Sequence, residues 1–292
     1  MDEIEDETID LVITSPPYPM IELWDSIFSN FNEHIKLSLK KENGKKTFNL
    51  MHIELNKVWN EVKRVLKSGG ICCINVGDAT RKMGKTFQLY SNHVEITKFY
   101  LNNGFIQLPS IIWRKPTNSP TKFLGSGMVP PNAYITLEHE HILIFRKGKS
   151  KVKFKPQFKP RYNSAYFWEE RNKWFSDIWT DIQGISQNIE NWDEQYSNMR
   201  ERSAAFSFKI PYRLINMFSI HGDTILDPFW GTGTTSLAAM VLARNSVGYE
   251  INSEFMDVFM NRMKEIKSLS KKIEKYRQKE NSFIVKHSIF QP

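Results

Sequence analysis

The stretch ILDPFWGTGTTSLAAMVLARNSVGYEIN, residues 225–252, allows few folds. A short apolar strand (224–228) runs into a glycine turn. A helix of small and apolar residues (234–244) follows, then a second strand (246–250) that ends on an acid. Strand, tight turn, helix and strand form one parallel β–α–β unit, which belongs in a layered α/β sheet. Gly231 and Gly233 let the backbone turn sharply and come close to a ligand. Asp227 closes the first strand and Glu250 closes the second, 23 residues later. An acid at that spacing accepts hydrogen bonds from ribose hydroxyls in nucleotide-binding sheets. Pro228, Phe229 and Thr234 complete the turn.

Two comparisons narrow the ligand. The turn lacks the lysine of a phosphate loop, and Ser236 stands where a dinucleotide fingerprint has its third glycine. An adenosine-bearing cofactor without a pyrophosphate fits best, and S-adenosylmethionine is the candidate. The bland alternative is an ordinary strand–helix turn followed by a surface acid.

The α/β pattern extends along the chain. Apolar runs at 9–13, 71–76, 105–113 and 141–145 read as strands. Met51, Leu55, Val58, Trp59, Val62 and Leu66 recur at helical spacing, with Gly69 and Gly70 as the stop. Residues 88–102, 210–220 and 252–280 also read as helical. Between 150 and 205 periodicity fades and basic and aromatic residues alternate. Three parts follow: 1–149 and 206–292 as two halves of one α/β domain, and 150–205 as an insert.

With 292 residues, 40% hydrophobic and 25% charged, the chain has a globular composition and ample core. No run is long enough to span a membrane, and the acidic opening MDEIEDETID predicts no secretory leader. A cytoplasmic location is expected. Forty Lys and Arg against 32 Asp and Glu leave a net charge of +8, which favours an anionic partner. Cys72 and Cys73 are adjacent, so a strand sends them to opposite faces and no bridge forms.

The second informative site is IDLVITSPPYPM, residues 9–20. Its apolar start reads as a buried strand, which Pro16 and Pro17 end by removing two donors and fixing two φ angles. Carbonyls in such a clamp, with the Ser15 hydroxyl, can accept hydrogen bonds from an exocyclic amine. Tyr18 offers a flat face for a planar base. Four common residues such as SPPY also arise by chance as an ordinary turn.

Together, TSPPY at 14–18 and LDPFWGTGTT at 226–235 resemble the catalytic and cofactor motifs of the DNA amino-methyltransferases, which modify N4 of cytosine or N6 of adenine. VWNEVKRVLKSGGICCINVGD, IIWRKP and EHEHILIFRK resemble the family's intervening motifs. The catalytic motif precedes the cofactor motif, as in the permuted β class. The resemblance implies a Rossmann-like methyltransferase fold: a mixed, mostly parallel sheet with helices on both faces, circularly permuted motif order, and an inserted target-recognition region at 150–205. One segment departs from the pattern: FSFKIPYRLI keeps only Pro211 of the family's His-Pro-Ala type stretch.

The resemblance implies transfer of a methyl group from S-adenosylmethionine to the amine of a base flipped out of double-stranded DNA. Ser15, Pro16, Pro17 and Tyr18 form the catalytic clamp. Asp227, Pro228, Phe229, Gly231, Gly233, Thr234 and Glu250 hold the cofactor. Serine at the first clamp position goes with N4-cytosine in the family; N6-adenine is the alternative. A restriction–modification role, with a cognate endonuclease as partner, is the expected setting. Arg81, Lys82, Lys85, Lys155, Lys159, Arg161, Arg171, Arg200 and Arg202 are candidate DNA contacts. His139 and His141 share a strand face, but with no third ligand nearby they read as structural, and no metal is expected. A nicotinamide-dependent oxidoreductase, an inactive DNA-binding protein and an RNA or protein methyltransferase are the competing readings.

Overall fold

A computed structural model describes residues 1–115, 125–149, 152–183 and 207–264. Its centre is a seven-stranded sheet in the order β7-β5-β6-β2-β1-β8-β9. The strands are β1 (Ile9–Thr14), β2 (Leu66–Val76), β5 (Phe105–Arg114), β6 (His139–Lys147), β7 (Ile178–Trp179), β8 (Thr224–Asp227) and β9 (Asn245–Gly248). β6 runs against its neighbours β2 and β5, and every other pairing in this sheet is parallel. β3 (Ala79–Met83) and β4 (Thr86–Tyr90) form a separate hairpin. The helices are α1 (Asp25–Phe31), α2 (Glu33–Lys40), α3 (Gly44–Val65), α4 (Asn92–Asn102), α5 (Lys159–Asn163), α6 (Trp168–Trp174), α7 (Lys209–Phe218), α8 (Thr234–Val241) and α9 (254–264).

Side-chain alternation gives the sheet two buried faces. On one, Val12, Cys72, Ile74 and Val76 pack with Met51, Leu55, Trp59 and Val62 of α3 and with Ile96 and Tyr100 of α4. On the other, Leu11, Ile13, Cys73, Ile142 and Ile144 pack with Ile210, Leu214 and Ile215 of α7 and with Ala238 and Ala239 of α8. The neighbouring cysteines do part to opposite faces, both free and buried. Helices on both faces of a mostly parallel sheet make this a Rossmann-like fold.

β1 and β8 are far apart in sequence yet pair directly, Leu11 with Ile225 and Val12 with Leu226. From β1 the sheet continues to β2 on one side and through β8 to β9 on the other. The carboxyl ends of β1 and β8 therefore meet where the order reverses, the place at which open α/β sheets bind ligands.

Several expected boundaries change. Gly69 and Gly70 do not stop a helix. α3 ends at Val65 and both glycines lie inside β2. A Cβ on Gly70 would sit 3.0 Å from the Asp10 carbonyl, so glycine is needed there for the strands to approach. α3 also begins earlier, at Gly44, behind the N-cap Asn43, whose side chain accepts from the Lys46 amide at 3.1 Å. The helix expected over 88–102 starts only at Asn92, because residues 79–90 are taken by two strands. They are a hairpin with a two-residue turn at Gly84 and Lys85, where Gly84 has φ +59°. The 150–205 insert is less separate than its composition suggests. β7 joins the main sheet beside β5, and Trp174, Trp179 and Ile182 are core residues. The residues 184–206, with Arg200 and Arg202, and the end of the long helix expected over 252–280 lie outside the described residues.

Candidate active site

Thr14, Asp227 and Thr235 tie the two motifs together. The Thr14 hydroxyl donates to Asp227 Oδ1 at 2.7 Å, and Thr235 donates to Oδ2 at 2.7 Å. The Phe229 amide adds a bond to Oδ1 at 3.1 Å. Asp227 is 1% exposed, and burial pushes its carboxyl up to about 6 against the pull of these donors. The Asp227 carboxylate thus joins the end of β1 to the glycine turn and the start of α8.

The two glycines of the turn take left-handed backbone, as a sharp turn requires. Gly231 and Gly233 have φ of +52° and +72°. A Cβ on Gly233 would lie 2.3 Å from the Phe259 ring, so no larger residue fits without displacing it. Glu250 stands beside the turn: Oε2 accepts the Gly231 amide at 2.8 Å and Oε1 the Asn252 amide at 3.0 Å. Each oxygen keeps lone-pair capacity for a further donor such as a ribose hydroxyl. Left-handed glycines and an adjacent carboxylate suit an adenosine-bearing, pyrophosphate-free cofactor. Phe229 packs edge-on against Trp59, with centroids 5.6 Å apart, which fixes that end of the turn in the core. From α9, Arg262 donates to the Thr232 carbonyl at 2.8 Å, clamping the turn's other side.

At the end of β1 the chain enters the SPPY clamp. Tyr18 is 9% exposed, so its ring is less open than a free stacking platform, and its hydroxyl is a hub. Tyr18 Oη donates to Glu140 Oε2 at 3.0 Å, and it lies 3.0 Å from Ser15 Oγ and 3.0 Å from Asn75 Nδ2. Asn75 Nδ2 also donates to Glu140 Oε2 at 2.6 Å, and Lys115 Nζ donates to Oε1 at 2.8 Å. Burial and the adjacent Glu140 carboxylate raise the Tyr18 phenol well above its ordinary value, so it stays protonated. Gly77 makes room for the ring, since a Cβ there would lie 3.0 Å from Tyr18 Cε2. Asn75, Lys115 and Glu140 escaped the sequence reading. The signal was present in Asn75, a polar residue inside the apolar run of β2, whereas Glu140 stands between two histidines at the start of β6.

His141 does have further ligand-type neighbours, against expectation. Asp78 and His93 stand beside it, and one ligating atom from each of the three lies within 4.8 Å of the others. His93 Nδ1 is 2.7 Å from Asp78 Oδ2, and the His93 and His141 rings stack at 4.0 Å. Burial, with help from His93, lowers His141 to about 4, so the His141 ring is neutral at physiological pH.

The basic candidates divide. Arg81 is held by Asp25 through bonds of 2.8 and 2.6 Å, which ties the hairpin to α1. Lys82 and Lys85 are exposed on the same hairpin. Lys155, Lys159, Arg161 and Arg171 are exposed around α5 and α6. Arg161 lies over Phe154 at 5.2 Å, and Arg171 lies over Trp168 at 5.8 Å.

The switch point of this Rossmann-like sheet thus brings together a glycine turn, the Glu250 carboxylate and the polar clamp. Residues 9–261 match the model of the N6/N4 methyltransferase family, described as DNA methylase, and the chain belongs to that family. It is 55% identical over 275 residues to the type II methyltransferase M.MthZI of Methanothermobacter thermautotrophicus, covering 94% of this chain and 76% of the relative. It is 52% identical over 269 residues to the type II methyltransferase M.MjaI of Methanocaldococcus jannaschii, covering 88% and 86%. A putative DNA modification methylase from Thermus thermophilus, TTHA0409, solved with S-adenosyl-L-methionine, superposes with a TM-score of 0.68 at 29% identity, covering 91% of this chain and 89% of the other. The chain is a DNA methyltransferase and its methyl donor is S-adenosylmethionine. Among the described residues, no helix is long and apolar enough to cross a membrane.

Proposed function

We propose that the protein methylates the exocyclic N4 amine of a flipped-out cytosine in duplex DNA, as the modification enzyme of a restriction–modification system with a cognate endonuclease. The observation that carries this reading is the clamp at the end of β1. There a serine hydroxyl, rather than a carboxylate, follows a strand whose last residue is bonded to the cofactor turn through Asp227.

S-adenosylmethionine supplies an electrophilic methyl group on a sulfonium. The protein must hold a poorly nucleophilic amine in line with it and draw on the amine's protons. Ser15 Oγ and the Pro16 carbonyl are the acceptors, and Pro17 stiffens the clamp. The accessible part of Tyr18 bounds the base pocket. Glu250, Gly231, Gly233 and Thr234 hold the nucleoside end of the cofactor, with Phe229 and Pro228 shaping the turn. Positioning of this kind supplies roughly 7–11 kcal/mol of a barrier.

The deciding experiment is mass spectrometry of nucleosides from DNA recovered from cells that express the protein. N4-methylcytosine supports the proposal. N6-methyladenine keeps the enzyme class and overturns the cytosine assignment.

A further inference from the structure

Tyr18 has one hydroxyl hydrogen and three polar neighbours, so the direction of every bond around it can be worked out. The Glu140 carboxylate, paired with Lys115, has no hydrogen to give. The Tyr18 hydrogen therefore points to Glu140 Oε2. Asn75 approaches Tyr18 Oη and Glu140 Oε2 through its amide nitrogen, which donates to both. Tyr18 can then only accept from Ser15, across 3.0 Å. The Ser15 hydrogen is committed inward, and among the described residues its lone pairs have no partner.

We infer that Glu140 is a positioning residue for methyl transfer, which acts through Tyr18 to turn the Ser15 hydroxyl into a pure acceptor for the target amine and then receives the released proton. The inference rests on the DNA methyltransferase reading of this site. In the transfer a carbon–nitrogen bond forms, the carbon–sulfur bond breaks with its electron pair left on sulfur, and the amine holds one proton too many. Ser15 Oγ takes that proton while its own passes to Tyr18 Oη, and the Tyr18 proton passes to Glu140 Oε2. Charge balances, because the carboxylate becomes a neutral acid as the sulfonium becomes a thioether. Lys115 and Asn75 hold the Glu140 carboxylate in place between turnovers. An unpartnered serine hydroxyl would present its hydrogen to the amine as readily as its lone pairs. The chain of bonds removes that choice.

The test is a cycle of Glu140→Gln, Tyr18→Phe and the double variant in the full-length enzyme, read by single-turnover transfer to duplex DNA, S-adenosylhomocysteine affinity and DNA affinity. Glu140→Gln is expected to slow transfer on the order of 100-fold, with both affinities within about twofold of wild type. In the Tyr18→Phe background it is expected to do nothing further, since the path to Ser15 is already cut. Wild-type transfer in Glu140→Gln, or an undiminished second effect in Tyr18→Phe, overturns the inference. Should Glu140→Gln fail to fold, Tyr18→Phe removes one oxygen only, and transfer at the wild-type rate there overturns it equally. A readout independent of turnover is the titration of Tyr18 followed by NMR of tyrosine labelled at Cζ. Glu140→Gln should lower the pH at which Tyr18 ionises, and an unchanged titration counts against the coupling. A wild-type enzyme that methylates no DNA would sink the functional reading itself. An active wild type with an indifferent Glu140→Gln sinks only this inference.

Discussion

Ser15 and Glu250 lie just past the ends of β1 and β9, and separable tasks are proposed for them. Ser15 is proposed to face the amine and bonds to Tyr18 rather than to the glycine turn, so Ser15→Ala should cut transfer on the order of 1000-fold. Its affinity for S-adenosylhomocysteine, measured by titration calorimetry, should stay unchanged. Glu250 bonds the Gly231 amide at 2.8 Å and is proposed to take a ribose hydroxyl with its remaining lone pairs. Glu250→Ala should therefore weaken the cofactor by roughly 10- to 100-fold, the worth of a hydrogen bond to a charged acceptor. Single-turnover transfer at saturating cofactor should change much less. If either variant showed the other's phenotype, the division of labour proposed for the two motifs would be wrong.

At the scale of elements, Asp227 shows how two distant segments become one site. It ends β8, yet its carboxylate holds Thr14 at the end of β1 and Thr235 in the first turn of α8. Its folded value of about 6 lies above the ordinary 3.8 because burial penalises the charge. Between those values the folded protein keeps a proton that the unfolded chain has released. The group thus favours folding most below about pH 4, and that contribution is lost as pH rises through about 6. The loss is about 3 kcal/mol over the full range. Denaturant unfolding of wild type and Asp227→Asn from pH 4 to 7 should show a stability difference that shifts against wild type as pH rises. A pH-independent difference would mean that Asp227 is ionised throughout. Asp227 also marks the limit of what the sequence discloses. The unit from 224 to 250 was readable because its strand, turn and helix are local, and α3 was readable through Met51, Leu55, Trp59 and Val62. The hairpin at 79–90 was not, because RKMGKTF lacks an alternating apolar face. The Tyr18, Asn75, Glu140 and Lys115 network joins four separate segments, and its members meet only through the pairing of β1 with β2, β2 with β6 and β5 with β6.

For the whole molecule, the excess of eight positive charges matters through where it is free to act. Arg81, which looked like a phosphate contact, spends its charge on Asp25, and Arg213 spends its own on Asp181 at 3.0 and 2.5 Å. Such pairs fix the hairpin to α1 and the insert to α7. They contribute little to attracting an anion, since each charge is neutralised where the pair forms. Lys82 and Lys85, exposed on the hairpin, are the proposed backbone contacts, and they should act through counterion release. Removing a lysine from one phosphate takes about one unit off the slope of log affinity against log salt. Lys82→Ala with Lys85→Ala should therefore flatten that slope by about two and weaken specific and non-specific duplexes alike, as fluorescence anisotropy over a salt series would show. Single-turnover transfer at saturating DNA should stay near wild type, because neither lysine belongs to the clamp. A slope that does not move would assign the attraction to the exposed basic residues around α5 and α6 and leave the hairpin as scaffold for α1.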